Sequence, residues 1–238
     1  MQAALTIIRY PKWLVPVSLL AMAIFRLPLW LNKKILFYKL MGTGKNGSFD
    51  LWPEWQQWAI FTTMEIAPQP GTENLQTLLY GNFISRWFKF FRTETCTFIL
   101  EPIQCHGSWD GKIIFDGLPA KVPDSEAPIA VLTRASIRLK AARDFWRNVP
   151  AVNENIKNAG GLIYSVGVGE TPVLKQATFS IWKNKDSMME FAYGRPEHQE
   201  VIKKTRKRDW YSEEMFCRFS IIYSKGTIKG INPLKPMD

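Results

Sequence analysis

The 238-residue sequence has few of the residues that build metal and disulfide sites. It contains three cysteines, none of them in a CxxC pair, and two histidines, His106 and His198. This small set, at these spacings, excludes a structural zinc site of the usual kind. The odd number of cysteines leaves at least one unpaired, which favours a reducing, cytoplasmic setting.

The sequence also lacks a long uninterrupted apolar run. Its most apolar stretch, residues 14–30, is interrupted by Pro16, Arg26 and Pro28, whereas a bilayer-spanning helix needs about 20 largely apolar residues in a row. It has no basic start or small-residue cleavage site, so it does not match a signal peptide. We predict a helix packed on a sheet. The alternative is that its free apolar side makes a peripheral contact with the inner membrane.

Positive charge dominates, with a net charge of +10 at pH 7. The basic residues are densest in residues 195–208, without an RNA-binding motif or a DNA-reading helix pattern, and no nucleic-acid partner is therefore predicted. A basic run of this kind is usually a solvated helix face. Docking of an acidic electron donor is the alternative.

The composition is otherwise that of a globular protein, 46% hydrophobic and 22% charged, which is enough for a substantial core. Residues 117–128 carry three prolines and no hydrophobic period, which predicts a linker. The linker divides the chain into an N-terminal unit, residues 1–116, and a C-terminal unit, residues 129–238.

The C-terminal unit shows the order of elements βαββαβ. A helix split by Pro150 follows the first strand, and the second helix restarts at Pro196, a residue favoured at a first helical position. The predicted strands are 129–137, 162–168, 176–182 and 215–223, and the predicted helices are 140–148 with 152–158, and 187–193.

The N-terminal unit repeats this order more loosely. Its predicted strands are 5–9, 35–41, 58–64 and 95–105, and its predicted helices are 14–31 and 74–79. Two local echoes support a repeat: MGTGKNG at 41–47 matches VGVGE at 166–170, and WAIFTTM at 58–64 matches ATFSIW at 177–182. The predicted fold is α+β, with two fused ferredoxin-like units forming an α+β barrel.

Several longer motifs carry a resemblance to a known family. The sequence is similar to the spheroidene monooxygenases along nearly its whole length. The C-terminal motifs are TRASIRLKAARDFWRNVP (133–150), GGLIYSVGVGETP (160–172), QATFSIW (176–182), MMEFAY (188–193) and WYSEEMFCRFS (210–220). The N-terminal motifs are IIRY (7–10), FYKLMGTGKNGSF (37–49) and WAIFTTM (58–64).

This resemblance implies an oxygen-dependent enzyme with haem as cofactor. Such an enzyme inserts oxygen near the end of a linear carotenoid and gives a hydroxyl and then a keto group. A ferredoxin or similar electron donor is implied as a partner, and the dimeric α+β barrel type leaves a homo-oligomer open. A haem lyase or dehydratase, and a non-catalytic haem- or lipid-binding protein, are the alternatives on the same fold.

His198 is the predicted haem iron ligand. It lies near the start of the helix beginning at Pro196, where the helix dipole disfavours a protonated ring, and neutral imidazole is the form that binds iron. The alternative is a histidine bonded to backbone or solvent. His106 is interpreted as a turn residue, and Cys217 as a small buried core residue rather than a thiolate ligand.

The haem propionates would need basic partners. Arg134, Arg218 and Lys39 lie within predicted strands, where a charge is costly unless it is paired. Each is therefore either a propionate partner or one half of an ion pair with a carboxylate, for which the candidates are Glu170, Glu213 and Glu214. The glycines of GVGE, residues 167–170, lack the pattern of a dinucleotide loop and predict a bulge or a close approach of backbone to ligand.

Overall fold

The computed structural model describes residues 1–45, 52–68, 74–118, 126–194 and 208–234. The strands are β1 (Gln2–Arg9), β2 (Phe37–Gly44), β3 (Pro53–Met64), β4 (Glu94–Gly107), β5 (Ile129–Ile137), β6 (Leu162–Thr171), β7 (Lys175–Trp182) and β8 (Tyr211–Gly226). The helices are α1 (Val15–Ile24), α2 (Arg26–Leu31), α3 (Leu75–Tyr80), α4 (Asn82–Phe90), α5 (Ala142–Lys157) and α6 (Lys185–Gly194). The fold is α+β, and the strands form a closed antiparallel barrel in the order β1-β3-β2-β6-β7-β5-β8-β4.

Within the described residues, the order of strands and helices agrees with the prediction; the helix predicted to restart at Pro196 lies outside them. Three details of the helices were wrong. The single helix predicted for residues 14–31 is two helices, because the α1 hydrogen bonds end at Phe25. Pro28 lies in the first turn of α2, where a missing N–H costs no hydrogen bond. The prediction also missed α4, in which only Ile84 and Phe88 are buried, as a narrow stripe along the helix.

The predicted split at Pro150 was also wrong. Helix α5 continues through this proline. The proline is exposed, while Ala142, Phe145 and Val149 form a buried stripe at helical spacing along the same helix. Packing of that stripe outweighs the loss of one backbone hydrogen bond, so the helix is not broken.

One compact unit, unit 1, comprises Met1–Thr43, Glu54–Glu101 and Ile221–Asp238. Its helices pack on one face of β1 and β3 around Trp58, which is fully buried. A buried hydroxyl cluster lies in the same unit, where Thr6 Oγ1 is 2.6 Å from Tyr80 Oη and 2.8 Å from Thr97 Oγ1.

The second compact unit, unit 2, comprises Gly44–Pro53 and Pro102–Ser220. Helix α5 packs against Trp210 in one cluster, and α6 packs through Met188 against Val131 and Trp182 in another. The strand register shifts at Gly169, so the bulge predicted for residues 167–170 is confirmed.

Candidate functional site

The face of the unit 2 sheet opposite its helices is apolar and buried. On β5 the odd-numbered Ile129 and Val131 face the helices, so alternation turns Ala130 and Leu132 to the other side. Leu132 pairs with Phe179 of β7 and Cys217 of β8. The buried apolar side chains on this helix-free face are Ala130, Leu132, Val166, Val168, Ala177, Phe179, Ile181, Met215, Cys217 and Phe219.

Arg134 lies on the same face, two residues beyond Leu132, and is 1% exposed. Its guanidinium donates to Glu213 and, through Nη2, to Asp110 Oδ1 at 3.2 Å. Glu170 lies 3.9 Å from the same nitrogen, and the Trp109 ring lies 5.7 Å from the guanidinium carbon. We call Arg134, Asp110, Glu170 and Glu213 the arginine network. Three carboxylates around one buried cation offset its desolvation.

A tight turn at the end of β4 holds Glu213. Its carboxylate accepts from the Gly111 N–H at 2.7 Å, the Asp110 N–H at 3.1 Å and the Ser108 hydroxyl at 2.8 Å. Burial alone would raise the pKa of Glu213, but these hydrogen bonds and Arg134 lower it to about 2. Glu213 is therefore ionised at any pH above the acid range.

The turn has a close counterpart in unit 1. Glu94 accepts from the Gly230 N–H at 2.6 Å and from the Thr227 hydroxyl at 2.8 Å. Burial opposes ionisation of Glu94, but these hydrogen bonds leave its pKa lowered. The two turns have the sequences GSWDG (107–111) and GTIKG (226–230). Their first glycines have φ of +85° and +104°.

The first glycine of each turn packs directly on the strand that carries the glutamate. A Cβ at Gly107 would collide with the Glu214 carbonyl, and one at Gly226 would collide with the Thr95 carbonyl. In both cases the carbonyl belongs to the residue after the glutamate. Glycine is therefore required twice, by the positive φ and by the close approach of the backbone.

Arg134 and Arg218, two of the three predicted propionate partners, do not form one group. Arg134 forms ion pairs with carboxylates, which is the second of the two roles predicted for it. Arg218 lies opposite Val131, on the helix-covered face, and donates to Gln104 Oε1 at 3.1 Å. Lys39 is in unit 1, with Nζ 5.4 Å from the Phe37 ring centre. Because Arg134 and Arg218 project from opposite faces of one sheet, they cannot bind the same porphyrin together.

None of the three cysteines is available as a thiolate ligand for iron. Cys217 is buried, as predicted, but it forms a disulfide with Cys105, which the sequence analysis missed. Burial raises the pKa of the free thiol of Cys96 to about 12. A disulfide sulfur and a protonated thiol are both poor iron ligands.

The predicted iron ligand, His198, lies outside the described residues. His106 is at the end of β4, next to the Gly107 turn as predicted, and its ring stacks on Phe216 at 5.3 Å. Within the described ranges, the acidic, histidine and cysteine side chains form no group of three that could hold a metal. The fit of haem therefore depends on His198, since Arg134 is already paired.

The part of the site that sequence reasoning missed is the turn itself. Glu170 and Glu213 were named as candidate partners of a buried arginine, but Asp110 and Trp109 were not. The Trp109 indole donates to Glu170 at 2.6 Å, and Lys175 Nζ contacts Asp110 at 2.7 Å. The pattern G-[ST]-x-x-G occurs once near the end of each half, so the sequence could have indicated a repeated turn at these two places.

No family model matches the sequence. Three curated relatives are named spheroidene monooxygenase. The Cereibacter sphaeroides protein is 35% identical over 202 residues, which are 84% of this chain and 60% of the relative. The Rhodobacter capsulatus protein is 32% identical over 215 residues, 90% of this chain and 86% of the relative. The Rubrivivax gelatinosus protein is 35% identical over 195 residues, 82% of this chain and 72% of the relative.

The chain thus spans somewhat less than two thirds of the length of the Cereibacter relative. Among solved structures, an aldoxime dehydratase (OxdRE) crystallised with butyraldoxime is similar in fold, with a TM-score of 0.60 and 9% identity over 92% of this chain and 79% of the dehydratase. At that identity the likeness concerns the fold alone. The identities and coverage of the Rhodobacter and Rubrivivax relatives establish that this chain belongs to the spheroidene monooxygenase family.

Proposed function

We propose that this chain is a haem-dependent, oxygen-using monooxygenase that hydroxylates and then ketolates the end of a linear carotenoid or a similar apolar chain. The observation that carries the proposal is the 32–35% identity, over 82–90% of the chain, to relatives named spheroidene monooxygenase.

The chemistry of the side chains supports His198 as the iron ligand. Thiolate ligation is the usual alternative for oxygen insertion, but two cysteines form a disulfide and the third has a raised pKa. Haem bound through His198 would supply the oxygen activation, with electrons from a ferredoxin or similar donor.

We also propose that the two halves are copies of one ferredoxin-like unit. Within the barrel, the first half contributes the strand order β4-β1-β3-β2 and the second half the corresponding order β8-β5-β7-β6. The two glutamate-capped turns support the same equivalence, because Gly107, Gly111 and Glu213 each lie 119 residues from, respectively, Gly226, Gly230 and Glu94. The glycines of the second turn come 119 positions after those of the first, whereas Glu94 comes 119 positions before Glu213. This is expected if each turn caps a glutamate that belongs to the other half of the sequence.

The ligand assignment is tested by absorption spectra of the protein reconstituted with haem. The wild type and the control His106→Ala should show the same Soret band, because His106 stacks on Phe216 at a strand end. His198→Ala should lose or shift that band and bind haem at least about tenfold more weakly. An unchanged spectrum in His198→Ala would refute the assignment.

Turnover measured with and without oxygen tests the reaction class. A monooxygenase should convert a linear carotenoid only when both oxygen and a reduced donor are present. A haem lyase or dehydratase should work without oxygen, and a carrier should release the carotenoid unchanged. Conversion under strictly anaerobic conditions would therefore contradict the proposal.

A further inference from the structure

Helices α1 and α2 of unit 1 expose an apolar face. Leu14, Ser18, Ala21, Phe25 and Leu29 recur every three or four residues and are buried. The opposite side of a surface helix is normally polar, but here it is not. Large apolar side chains exposed on this segment are Trp13, Leu19, Leu20, Leu27, Trp30 and Leu31.

Helix α5 of unit 2 provides an internal reference, since it also follows the first strand of its half. It buries Ala142, Phe145 and Val149. Its outward positions include Arg143, Arg147 and Glu154, which are exposed and charged. The fold therefore accepts a polar outer face at this position, and the apolar face of α1 and α2 has another cause.

Helix α4 packs against the buried side of this segment and also exposes large apolar side chains. Phe25, at the break between α1 and α2, has its ring centre 6.4 Å from that of Phe83 and 5.5 Å from that of Trp87. Phe83 is 50% exposed and Phe90, at the end of α4, is 79% exposed. Large exposed apolar side chains grouped on neighbouring helices mark an interaction site.

Basic residues accompany the apolar ones. Residues 11–36 and 82–92 contain seven lysines and arginines and no acidic residue. Lys33 and Lys34 line an open groove of about 490 Å³ together with the exposed apolar side chains of Leu36, Ile66 and Leu78. Glu65 also lines the groove, so the two lysines leave an excess of one positive charge there. Cationic groups beside exposed hydrocarbon match the phosphates and acyl chains of a lipid.

We propose that the outer faces of α1, α2 and α4, with the groove at Lys33 and Lys34, form a docking surface for an anionic lipid bilayer. The apolar side chains enter the acyl region, and the basic residues contact lipid phosphates. This inference concerns unit 1 and stands independently of the chemistry proposed above.

The charge decides between a bilayer and a second copy of the chain. Two copies meeting through this face would bring two sets of basic residues together, which is unfavourable. The segment Lys12–Leu31 is apolar enough to span a membrane by length and composition, with mean hydropathy 1.9, and 28% of it is buried. Spanning would remove Phe25 and Leu29 from the packed core of unit 1, so docking parallel to the surface fits better.

Vesicle flotation of the purified protein tests the proposal. Phosphatidylcholine vesicles containing phosphatidylglycerol should carry the protein, and pure phosphatidylcholine should carry much less. Added salt should weaken binding because it screens the basic residues. The variant Leu20→Ser/Leu27→Ser/Trp30→Ser should bind at least about tenfold more weakly, since it removes three apolar anchors. Lys33→Glu/Lys34→Glu should lose the preference for anionic vesicles.

Leu139→Ser is the matched control, because Leu139 is 79% exposed in unit 2. It should bind vesicles like the wild type, and all variants should keep the wild-type melting temperature. Full binding by the triple serine variant would overturn the proposal. So would resistance of the bound protein to alkaline carbonate, which indicates a spanning helix. Loss of a dimer in that variant, without vesicle binding by the wild type, would show that a second copy covers the face.

Discussion

The strand that pairs with the glutamate-bearing strand carries a different buried residue in the two units. In unit 1, the β1 residue that pairs with Cys96 and Ala59 is Ile7; in unit 2, the β5 residue that pairs with Met215 and Ala177 is Arg134. Both side chains are 1% exposed. The same turn thus forms over an isoleucine in one unit and over an arginine in the other. The fold does not require the charge.

A buried charge that the fold does not require is a candidate for function. Replacing buried ion pairs with packed apolar residues is often neutral or stabilising, so such pairs are weak evidence for a role in stability alone. In unit 2 the charge lies at the end of an apolar buried face, with Glu213 held ionised beside it. Four experiments test this difference between the two units.

The largest effect should come from the first glycine of each turn. Gly107→Ala and Gly226→Ala should each lower the free energy of unfolding by about 3 kcal/mol or more, because positive φ and a collision with a carbonyl add together. Gly111→Ala and Gly230→Ala are the matched controls. They have φ of +74° and +77° but open space around a Cβ, and should cost about 1–2 kcal/mol. Equal losses at all four positions in urea denaturation would contradict the close approach.

The second test compares the glutamates. Glu213→Gln should cost about 2–3 kcal/mol at pH 7, because it leaves buried Arg134 short of a partner. Glu94→Gln should cost about 1 kcal/mol, the usual loss for hydrogen bonds that remain partly formed. Urea denaturation of both variants against the wild type measures the difference. Equal losses would show that the arginine adds nothing to the turn.

The third test is the pH dependence of stability. The pKa of Glu213 is lowered from 4.5 to about 2 on folding, so its contribution is present above pH 4.5 and is lost as the pH falls towards 2. Unfolding free energies measured between pH 5 and pH 2.5 should fall less steeply in Glu213→Gln than in the wild type. Identical slopes would contradict the lowered pKa.

The smallest effect should be in the double variant Arg134→Ile/Glu213→Gln, which gives unit 2 the isoleucine that unit 1 carries. Its loss in free energy of unfolding should be smaller than the losses of the two single variants added together, by about 1–3 kcal/mol. Circular dichroism should show the fold retained. Additive losses would show that Arg134 and Glu213 act independently.

Much of the fold could be predicted from local patterns. The alternating strands, such as QATFSIW, and the βαββαβ order were visible because periodicity is a local property. Helix α4 was missed because its buried stripe is short, and the continuous α5 was missed because tertiary packing overrides a proline. These errors arise where the decisive contacts are distant in sequence.

The candidate site was less predictable for the same reason. A charge inside a strand indicated that Arg134 needs a partner, and Glu170 and Glu213 were among the candidates, which the ion pairs bear out. Asp110 approaches Arg134 only because the β4 turn folds back on β8. The Cys105–Cys217 disulfide joins residues separated by 112 positions, and a spacing of that length carries no local signal.

Isotope labelling tests the proposed chemistry most directly. The haem-reconstituted protein, a reduced ferredoxin and a linear carotenoid are incubated under ¹⁸O₂, and the product is analysed by mass spectrometry. We predict that the new hydroxyl carries ¹⁸O in the wild type and in His106→Ala, and that no product forms with His198→Ala. Oxygen derived from water in the initial hydroxyl, or no product from a haem-loaded wild-type protein, would contradict the monooxygenase proposal.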